Sequence, residues 1–265
     1  MIRHGQLFAE QGGFSLLELA VVMTILALLL GSALMPLAAQ NDMRTRRETD
    51  RALADIHDAL IGFAVVNGRL PCPAAATIAA GTADAGAEAH IEGGCACTTA
   101  TSDVAAAGGV TCAATTDAAS VGGVLPWATL ALPETDAWGH RYTYRINTKF
   151  GRDPGQTAFG CTVTAPPLLA GFALCTPATL TVNAAAGGPK AVSNGVPAIV
   201  VSHGKNGFGA FTPQGRQLAP AASADEAENA DGDAVFVSNA ASDDQVIWLP
   251  VHVLMQRMLA AGMLP

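Results

Sequence analysis

The sequence predicts an α+β fold in which one long amino-terminal helix precedes a β-rich head. The first sign is an apolar run from Leu19 to Ala39, whose only polar side chains are Thr24 and Ser32. The second is a stripe of apolar residues that recur every three or four positions after that run, as on one face of a helix. The third is a series of short alternating segments between glycine and proline turns, which is typical of strands.

The first half of the predicted helix has the length and apolarity of a membrane span. A run of about 21 residues rises about 31 Å as a helix, which matches the hydrocarbon core of a bilayer. We therefore expect residues 14–40 to form a transmembrane helix. Pro36 is expected to bend this helix, because proline removes a backbone hydrogen bond and crowds the preceding turn.

Residues 41–67 are predicted to continue the helix in amphipathic form. The charged stretch after Gln40 marks the end of the apolar run, and Asn67-Gly68 is a stop signal. We expect the remainder, residues 68–265, to form one globular head. The apolar positions that define the stripe on the helix are Leu53, Ile56, Leu60 and Phe63.

A short motif precedes the apolar run, and it contains an unexpected charge. Gly13 and Phe14 are followed by Glu18, an ionisable side chain that lipid disfavours by about 2–3 kcal/mol. This spacing ahead of an unbroken apolar helix resembles the type IV prepilin signature. The resemblance implies that residues 1–13 are a leader, that a prepilin peptidase cleaves between Gly13 and Phe14, and that the new amino terminus of Phe14 is methylated.

The resemblance also implies a cellular location and a set of partners. In this family Glu18 would pair with the terminal amine of a neighbouring subunit during filament assembly. The fold would be pilin-like, with the helix packed on an antiparallel sheet in the head. The chain would cross the bacterial inner membrane once, with the head in the periplasm, and its partners would be prepilin peptidase, an assembly platform and other pilin or pseudopilin subunits of a pilus or pseudopilus. The alternative is a plain signal anchor with a chance glutamate.

Six cysteines follow the predicted span, and an even number in an exported segment indicates disulfides. Six cysteines allow fifteen connectivities, and Cys175 is a candidate partner of Cys161. A zinc site at Cys95 and Cys97 fits less well, because structural zinc sites space their thiols by two to four residues. Residues 74–123 are interpreted as a variable, disulfide-pinned insert, which either binds a partner or has no role of its own. The candidates are Cys72, Cys95, Cys97, Cys112, Cys161 and Cys175.

The head contains one segment with a clear strand pattern. Large apolar side chains from Tyr142 to Ile146 alternate with Thr143 and Arg145, which is the period of a half-buried strand. With the preceding turn, this segment is similar to the Asp-x-Trp-Gly-x-x-Tyr-x-Tyr stretch of type II secretion major pseudopilins. The resemblance implies a structural role in the core for Trp138, Gly139, Tyr142 and Tyr144.

Other elements follow from shorter patterns. Strands are expected at residues 197–202, 234–237 and 246–249, and a strand is also a candidate within 168–182. The Asn206-Gly207 pair is a hairpin signal. A short amphipathic helix is expected to close the chain at 251–263.

Charge and motif content exclude several functions. The net charge of −8 argues against a nucleic-acid partner, which needs clustered lysine and arginine. Ser202-His203-Gly204 lacks the glycine that a nucleophile elbow places two residues before the serine, since Val200 stands there. We expect no catalytic residues and no enzymatic activity.

Four aspartates near the carboxyl terminus are candidate calcium ligands: Asp231, Asp233, Asp243 and Asp244. Calcium takes several carboxylate and carbonyl oxygens from loops, and major pseudopilins bind it in a loop near their carboxyl terminus. The alternative is that these residues are ordinary solvated acidic loops. No other cofactor is expected.

The expected function is that of a minor pilin-like subunit, which binds through helix packing and Glu18 and catalyses nothing. The size of the chain and its insert favour a low-copy position over the repeating shaft. A type II secretion pseudopilin is the alternative. A signal-anchored periplasmic enzyme or receptor is a more distant one.

Overall fold

The structure is a computed structural model of the chain. It describes residues 15–95, 111–113, 120–156, 159–164, 167, 169–188, 191–221 and 223–264, with the backbone alone at 30–38 and 111–113. The chain divides into two compact units, residues 1–45 and 46–265.

The helices and strands follow in chain order. The helices are α1 (Leu16–Asn67), α2 (Trp127–Leu130), α3 (Ala224–Glu228) and α4 (Val251–Ala260). The strands are β1 (His90–Ile91), β2 (Gly94–Cys95), β3 (Thr111–Ala113), β4 (Ser120–Val124), β5 (Thr143–Asn147), β6 (Leu180–Asn183), β7 (Ala191–Val196), β8 (Ala198–Ser202), β9 (Val235–Val237) and β10 (Gln245–Leu249).

Helix α1 confirms the prediction of one long amino-terminal helix. It has 52 residues and ends where Gly68 adopts a φ of +72°. A side chain at Gly68 would lie 2.1 Å from the carbonyl oxygen of Leu169, so glycine is required both for its backbone conformation and for this close approach. Among the described residues no helix is both long and apolar enough to cross a membrane. Residue 14 and the side chains of 30–38, which belong to the predicted span, lie outside the described residues.

The second unit is built on a five-stranded antiparallel sheet of order β10-β8-β5-β4-β3. One face of this sheet, here called the helix face, packs against α1 and α4. Tyr144 and Ile146 of β5 and Val200 of β8 are 0–1% exposed there, beside Leu60 of α1 and Leu254 of α4. Apolar burial on this face forms the main core of the head.

The opposite face, here called the cluster face, covers a smaller sheet. That sheet has the order β7-β6-β9, and its β6–β9 pair is parallel, whereas the five-stranded sheet is antiparallel, as predicted. Ile199 and Val201 of β8 pack on Val182 and Phe236 of the small sheet. Thr143 pairs with Val201 in the register between β5 and β8, which places Thr143 on the cluster face.

The sequence patterns located most helices and strands, but the missed strands include β4 and β7. The strands expected at 197–202, 234–237 and 246–249 are present as β8, β9 and β10, the candidate within 168–182 is β6, and the closing helix is α4. Strand β4 lies at the end of what was interpreted as a loop-like insert, and β7 was not predicted. The Asn206-Gly207 turn does not form a tight hairpin, because β8 pairs with β5 and β10.

Candidate functional site

The amino-terminal part of α1 carries the first group of predicted functional residues. Gly13 and Phe14 lie outside the described residues. The side-chain oxygen of Ser15 accepts a hydrogen bond from the backbone N–H of Leu17 at 3.3 Å, so Ser15 caps the start of the helix. Glu18 lies in the first helical turn and is exposed. A carboxylate there is favoured by the partial positive charge of the helix amino terminus.

The helix that follows Glu18 exposes a continuous set of apolar side chains. Between residues 16 and 29 the exposed fractions of the large ones range from 47% at Val22 and Leu26 to 87% at Leu16. A contiguous apolar surface of this kind is typical of a protein or membrane contact. The exposed members are Leu16, Leu17, Leu19, Val21, Val22, Met23, Ile25, Leu26, Leu28 and Leu29.

Asp136 organises the turn that leads into β5. One carboxylate oxygen accepts hydrogen bonds from the backbone N–H groups of Trp138 and His140, at 3.0 and 2.9 Å. The other accepts a hydrogen bond from the Ser202 hydroxyl at 2.6 Å. Gly139 has a φ of +87°, which glycine adopts at low cost. Asp136 therefore fixes both the turn and its attachment to β8.

The two tyrosines of this segment are core residues, as predicted. Tyr142 and Tyr144 are 1% and 0% exposed, and the Tyr144 hydroxyl donates to the backbone oxygen of Pro71 at 3.1 Å. Trp138 is only half-buried and Gly139 is exposed, so their placement in the core was wrong. Their position in the turn, rather than in the strand, explains the exposure.

Two disulfides lie among the described residues, Cys72–Cys95 and Cys161–Cys175. The Cys161–Cys175 disulfide is the pair that the sequence analysis named as a candidate. The Cys72–Cys95 disulfide excludes Cys95 as a zinc ligand. Cys97 and the side chain of Cys112 lie outside the described residues. The first disulfide fixes the start of the insert, which Glu88 also holds through a two-fold ion pair with Arg69 at 2.8 and 2.9 Å.

The four candidate calcium ligands do not lie in one group. Asp231 and Asp233 join Glu228, and the carboxylate oxygens of these three side chains lie within 4.8 Å of one another. Asp231 accepts a hydrogen bond from the backbone N–H of Asp233, and Asp233 accepts one from Val235. Burial, reinforced by the neighbouring carboxylates, raises the pKa of Asp231 and of Glu228.

Asp243 belongs to a different group. Both of its carboxylate oxygens accept hydrogen bonds from Asn206, at 2.6 and 2.9 Å, and the same Asn206 side chain donates to Glu226 at 3.0 Å. Burial and the neighbouring Asp243 raise the pKa of Glu226. The Asn206 turn is thus held between two carboxylates, where the sequence had indicated a hairpin.

Asp244 faces His203 in the interior behind this turn. Their side chains are 1% and 0% exposed, and His203 Nδ1 lies 3.9 Å from the Asp244 oxygen Oδ1. Neither atom has a hydrogen-bond partner, whereas His203 Nε2 lies 2.7 Å from the Thr143 hydroxyl and Asp244 Oδ2 accepts from Asn229 at 2.8 Å. Burial and the charges of Glu226 and Asp243 raise the pKa of Asp244 to about 7.

The imidazole shifts in the opposite direction. Burial, with a smaller contribution from His140, lowers the pKa of His203 to about 4. The pair therefore has a neutral imidazole beside a carboxyl group that titrates near neutrality. Sequence reasoning found neither this pair nor Glu228, because residues 203 and 244 are far apart in the chain and no spacing rule connects them.

Comparison with known proteins gives one match. Residues 9–34 match the prokaryotic N-terminal methylation motif. No curated protein and no solved structure matches the chain. The matched segment contains Gly13, Phe14 and Glu18, and it confirms a prepilin-like amino terminus of the type found in type IV pilins and pseudopilins.

Proposed function

We propose that the chain is a minor pilin-like subunit of a type IV pilus-type filament. The observation that carries the proposal is the methylation motif at residues 9–34, followed by a long helix whose apolar side chains are exposed. In the proposal, prepilin peptidase removes residues 1–13 and methylates Phe14. The head adds contacts but needs no catalytic chemistry for this role.

The exposed part of α1 is the proposed assembly surface. Before assembly, residues 14–40 hold the prepilin in the inner membrane with the head in the periplasm. In the filament the same apolar side chains pack against those of neighbouring subunits, and Glu18 pairs with the amine of Phe14 in a neighbour. An ion pair shielded from water is much stronger than an exposed one, which gives a reason for the carboxylate at this position.

The first experiment is expression with and without a prepilin peptidase, followed by intact-mass and amino-terminal analysis. We expect peptidase-dependent conversion to a chain that begins at methylated Phe14. Substitution of Gly13 should block this conversion. An identical, unprocessed mass in both samples would contradict the proposal and favour a simple signal anchor.

The second experiment separates processing from assembly. Glu18→Gln should leave cleavage intact and reduce incorporation into filaments. Glu48→Gln is the matched control, because Glu48 is an exposed glutamate on the same helix. Equal incorporation of the two variants would contradict the role of Glu18, whereas a processed wild-type chain that enters no filament would favour a membrane-anchored periplasmic enzyme or receptor.

A type II secretion pseudopilin is the second candidate. The observation in its favour is the Asp136 turn with the buried Tyr142 and Tyr144, because this segment resembles that of major pseudopilins. Co-purification of the processed chain with secretion or with pilus subunits would distinguish the two machines.

A further inference from the structure

A small cleft opens on the cluster face of the head. Its volume is about 210 Å³, which is below the range of about 300–1,000 Å³ typical of sites for drug-sized ligands. Its lining includes Thr143 and Arg145 of β5, the acidic Asp231, and two phenylalanines, Phe211 and Phe236.

Arg145 places a buried positive charge at this cleft. The residue is only 2% exposed, and its Nη1 donates to the Ser120 hydroxyl at 2.9 Å. Burial lowers its pKa to about 10, against the opposing effect of Asp233 and Asp231. The guanidinium lies over β4, because a side chain at Gly122 would lie 2.6 Å from Nη2. A guanidinium carries five N–H donors whose geometry suits a carboxylate.

The opposite charge lies at the edge of the cleft. Asp231 lines it, and the carboxylates of Glu228 and Asp233 lie within 4.8 Å of that of Asp231. Three carboxylates this close repel one another, so a positively charged group beside them is favoured. Among the described residues around the cleft, these three carboxylates outnumber the guanidinium of Arg145, which disfavours a simple anion there.

Apolar surface completes the lining. Phe236 is 3% exposed and Phe211 is half-buried. A ligand that satisfies all three features carries a carboxylate, a positive group and a small apolar part, within the volume of a single residue. We propose that this cleft binds a free α-amino acid with an apolar side chain, its carboxylate at Arg145 and its ammonium group at Asp231.

Two residues of the back wall connect the cleft to the buried pair. Thr143 contacts His203, and Asn229 donates to Asp244. Both wall residues therefore have fixed orientations before any ligand arrives, which reduces the entropy lost on binding. The proposal does not depend on filament assembly, since no residue of the cleft lies on the amino-terminal helix.

The test is isothermal titration calorimetry on the full chain in mild detergent. The probes are L-valine, L-leucine and L-phenylalanine, each compared with its decarboxylated amine and with the carboxylic acid that lacks the amino group. We expect at least one amino acid to bind, and both of its analogues to bind at least about tenfold more weakly, since each lacks one charge-assisted hydrogen bond.

Variants assign the binding to the cleft. Asp231→Asn and Arg145→Lys should each weaken binding about tenfold or more, and Asp55→Asn, a change at an exposed position on α1, should leave it unchanged. If the Arg145→Lys variant does not fold, the binding affinity of the Asp231→Asn variant decides the result, because Asp231 is exposed. The proposal is overturned if none of the amino acids binds, if the carboxylic acid alone binds equally well, if Asp231→Asn binds normally, or if only calcium binds.

Discussion

The two faces of the five-stranded sheet differ most along β5. On the helix face, Tyr144 and Ile146 are enclosed by apolar residues of α1 and α4. On the cluster face, the neighbouring residues Thr143 and Arg145 meet a histidine, carboxylates and a cleft. Adjacent residues of one strand therefore lie in two different interiors.

The helix face contributes mainly to the stability of the head, whereas the cluster face carries the groups that can interact with a ligand. Apolar burial contributes about 25 cal/mol per Å² and depends little on geometry, so the helix face accounts for most of the stability of the head. Buried charges gain little net free energy, because desolvation offsets their attraction. The cluster face is therefore where a ligand can supply interactions that the chain alone does not.

The largest expected effect is on the helix face. Tyr144→Ala should lower the free energy of unfolding by about 4 kcal/mol, because it removes a fully buried aromatic ring and leaves a cavity. Tyr144→Phe is the matched control and should cost only about 1 kcal/mol, the value of the hydrogen bond to Pro71. Urea denaturation followed by tryptophan fluorescence measures both. Equal losses in the two variants would show that the hydroxyl, not the ring, holds this face.

Two adjacent glycines of β4 test the rigidity of the two faces. A side chain at Gly123 would lie 2.5 Å from the backbone oxygen of Ala74, whereas one at Gly122 would meet only the end of the Arg145 side chain. We expect Gly123→Ala to cost about 3 kcal/mol and Gly122→Ala about 1 kcal/mol, because a backbone oxygen cannot move aside. The same denaturation assay measures both variants. A larger loss at Gly122 would mean that the guanidinium is held as firmly as the backbone.

The third prediction concerns the buried pair on the cluster face. The pKa of Asp244 is raised from 3.8 to about 7, so its contribution to stability is present at low pH and is lost as the pH rises through 7. The pKa of His203 is lowered from 6.5 to about 4, so its contribution is present above pH 6.5 and is lost as the pH falls through 4. Between these limits the two effects oppose each other.

Asp244→Asn removes one of the opposing effects. Relative to the wild-type head, we expect the stability of the variant to rise by about 2 kcal/mol from pH 4.5 to 6.5, since the pair then contributes the titration of His203 alone. Urea titrations at several pH values measure the difference. Parallel profiles for the two proteins would show that Asp244 and His203 are not coupled in this way.

The helix face could be predicted from the sequence because its signals are local. The alternation from Tyr142 to Ile146 alone places Tyr142 and Tyr144 inside, and the spacing of Leu53, Ile56 and Leu60 defines the face of α1 that packs on them. These patterns depend only on the geometry of one helix and one strand. The amino-terminal motif is equally local. Its prediction agrees with the match of residues 9–34 to the N-terminal methylation motif.

The cluster face could not be predicted, because it depends on contacts between distant residues. Strand β4 carries two glycines and lacks apolar alternation, and the reason for one of them is Arg145 on the next strand. Asp231 and Asp244 both looked like calcium ligands, yet one joins Glu228 and the other faces His203. Sequence proximity grouped these acids, whereas the fold separates them.

The smallest expected effect is at Arg145, the immediate neighbour of Tyr144. Arg145→Met should lower the free energy of unfolding by about 1 kcal/mol, the value of the lost hydrogen bond to Ser120, because desolvation offsets most of what the buried charge gains. Asp231, one of the carboxylates near it, is exposed and can be solvated by water. The same variant should abolish amino-acid binding in the cleft. A loss of stability as large as that of Tyr144→Ala would contradict the comparison, since both faces would then depend equally on their buried side chains.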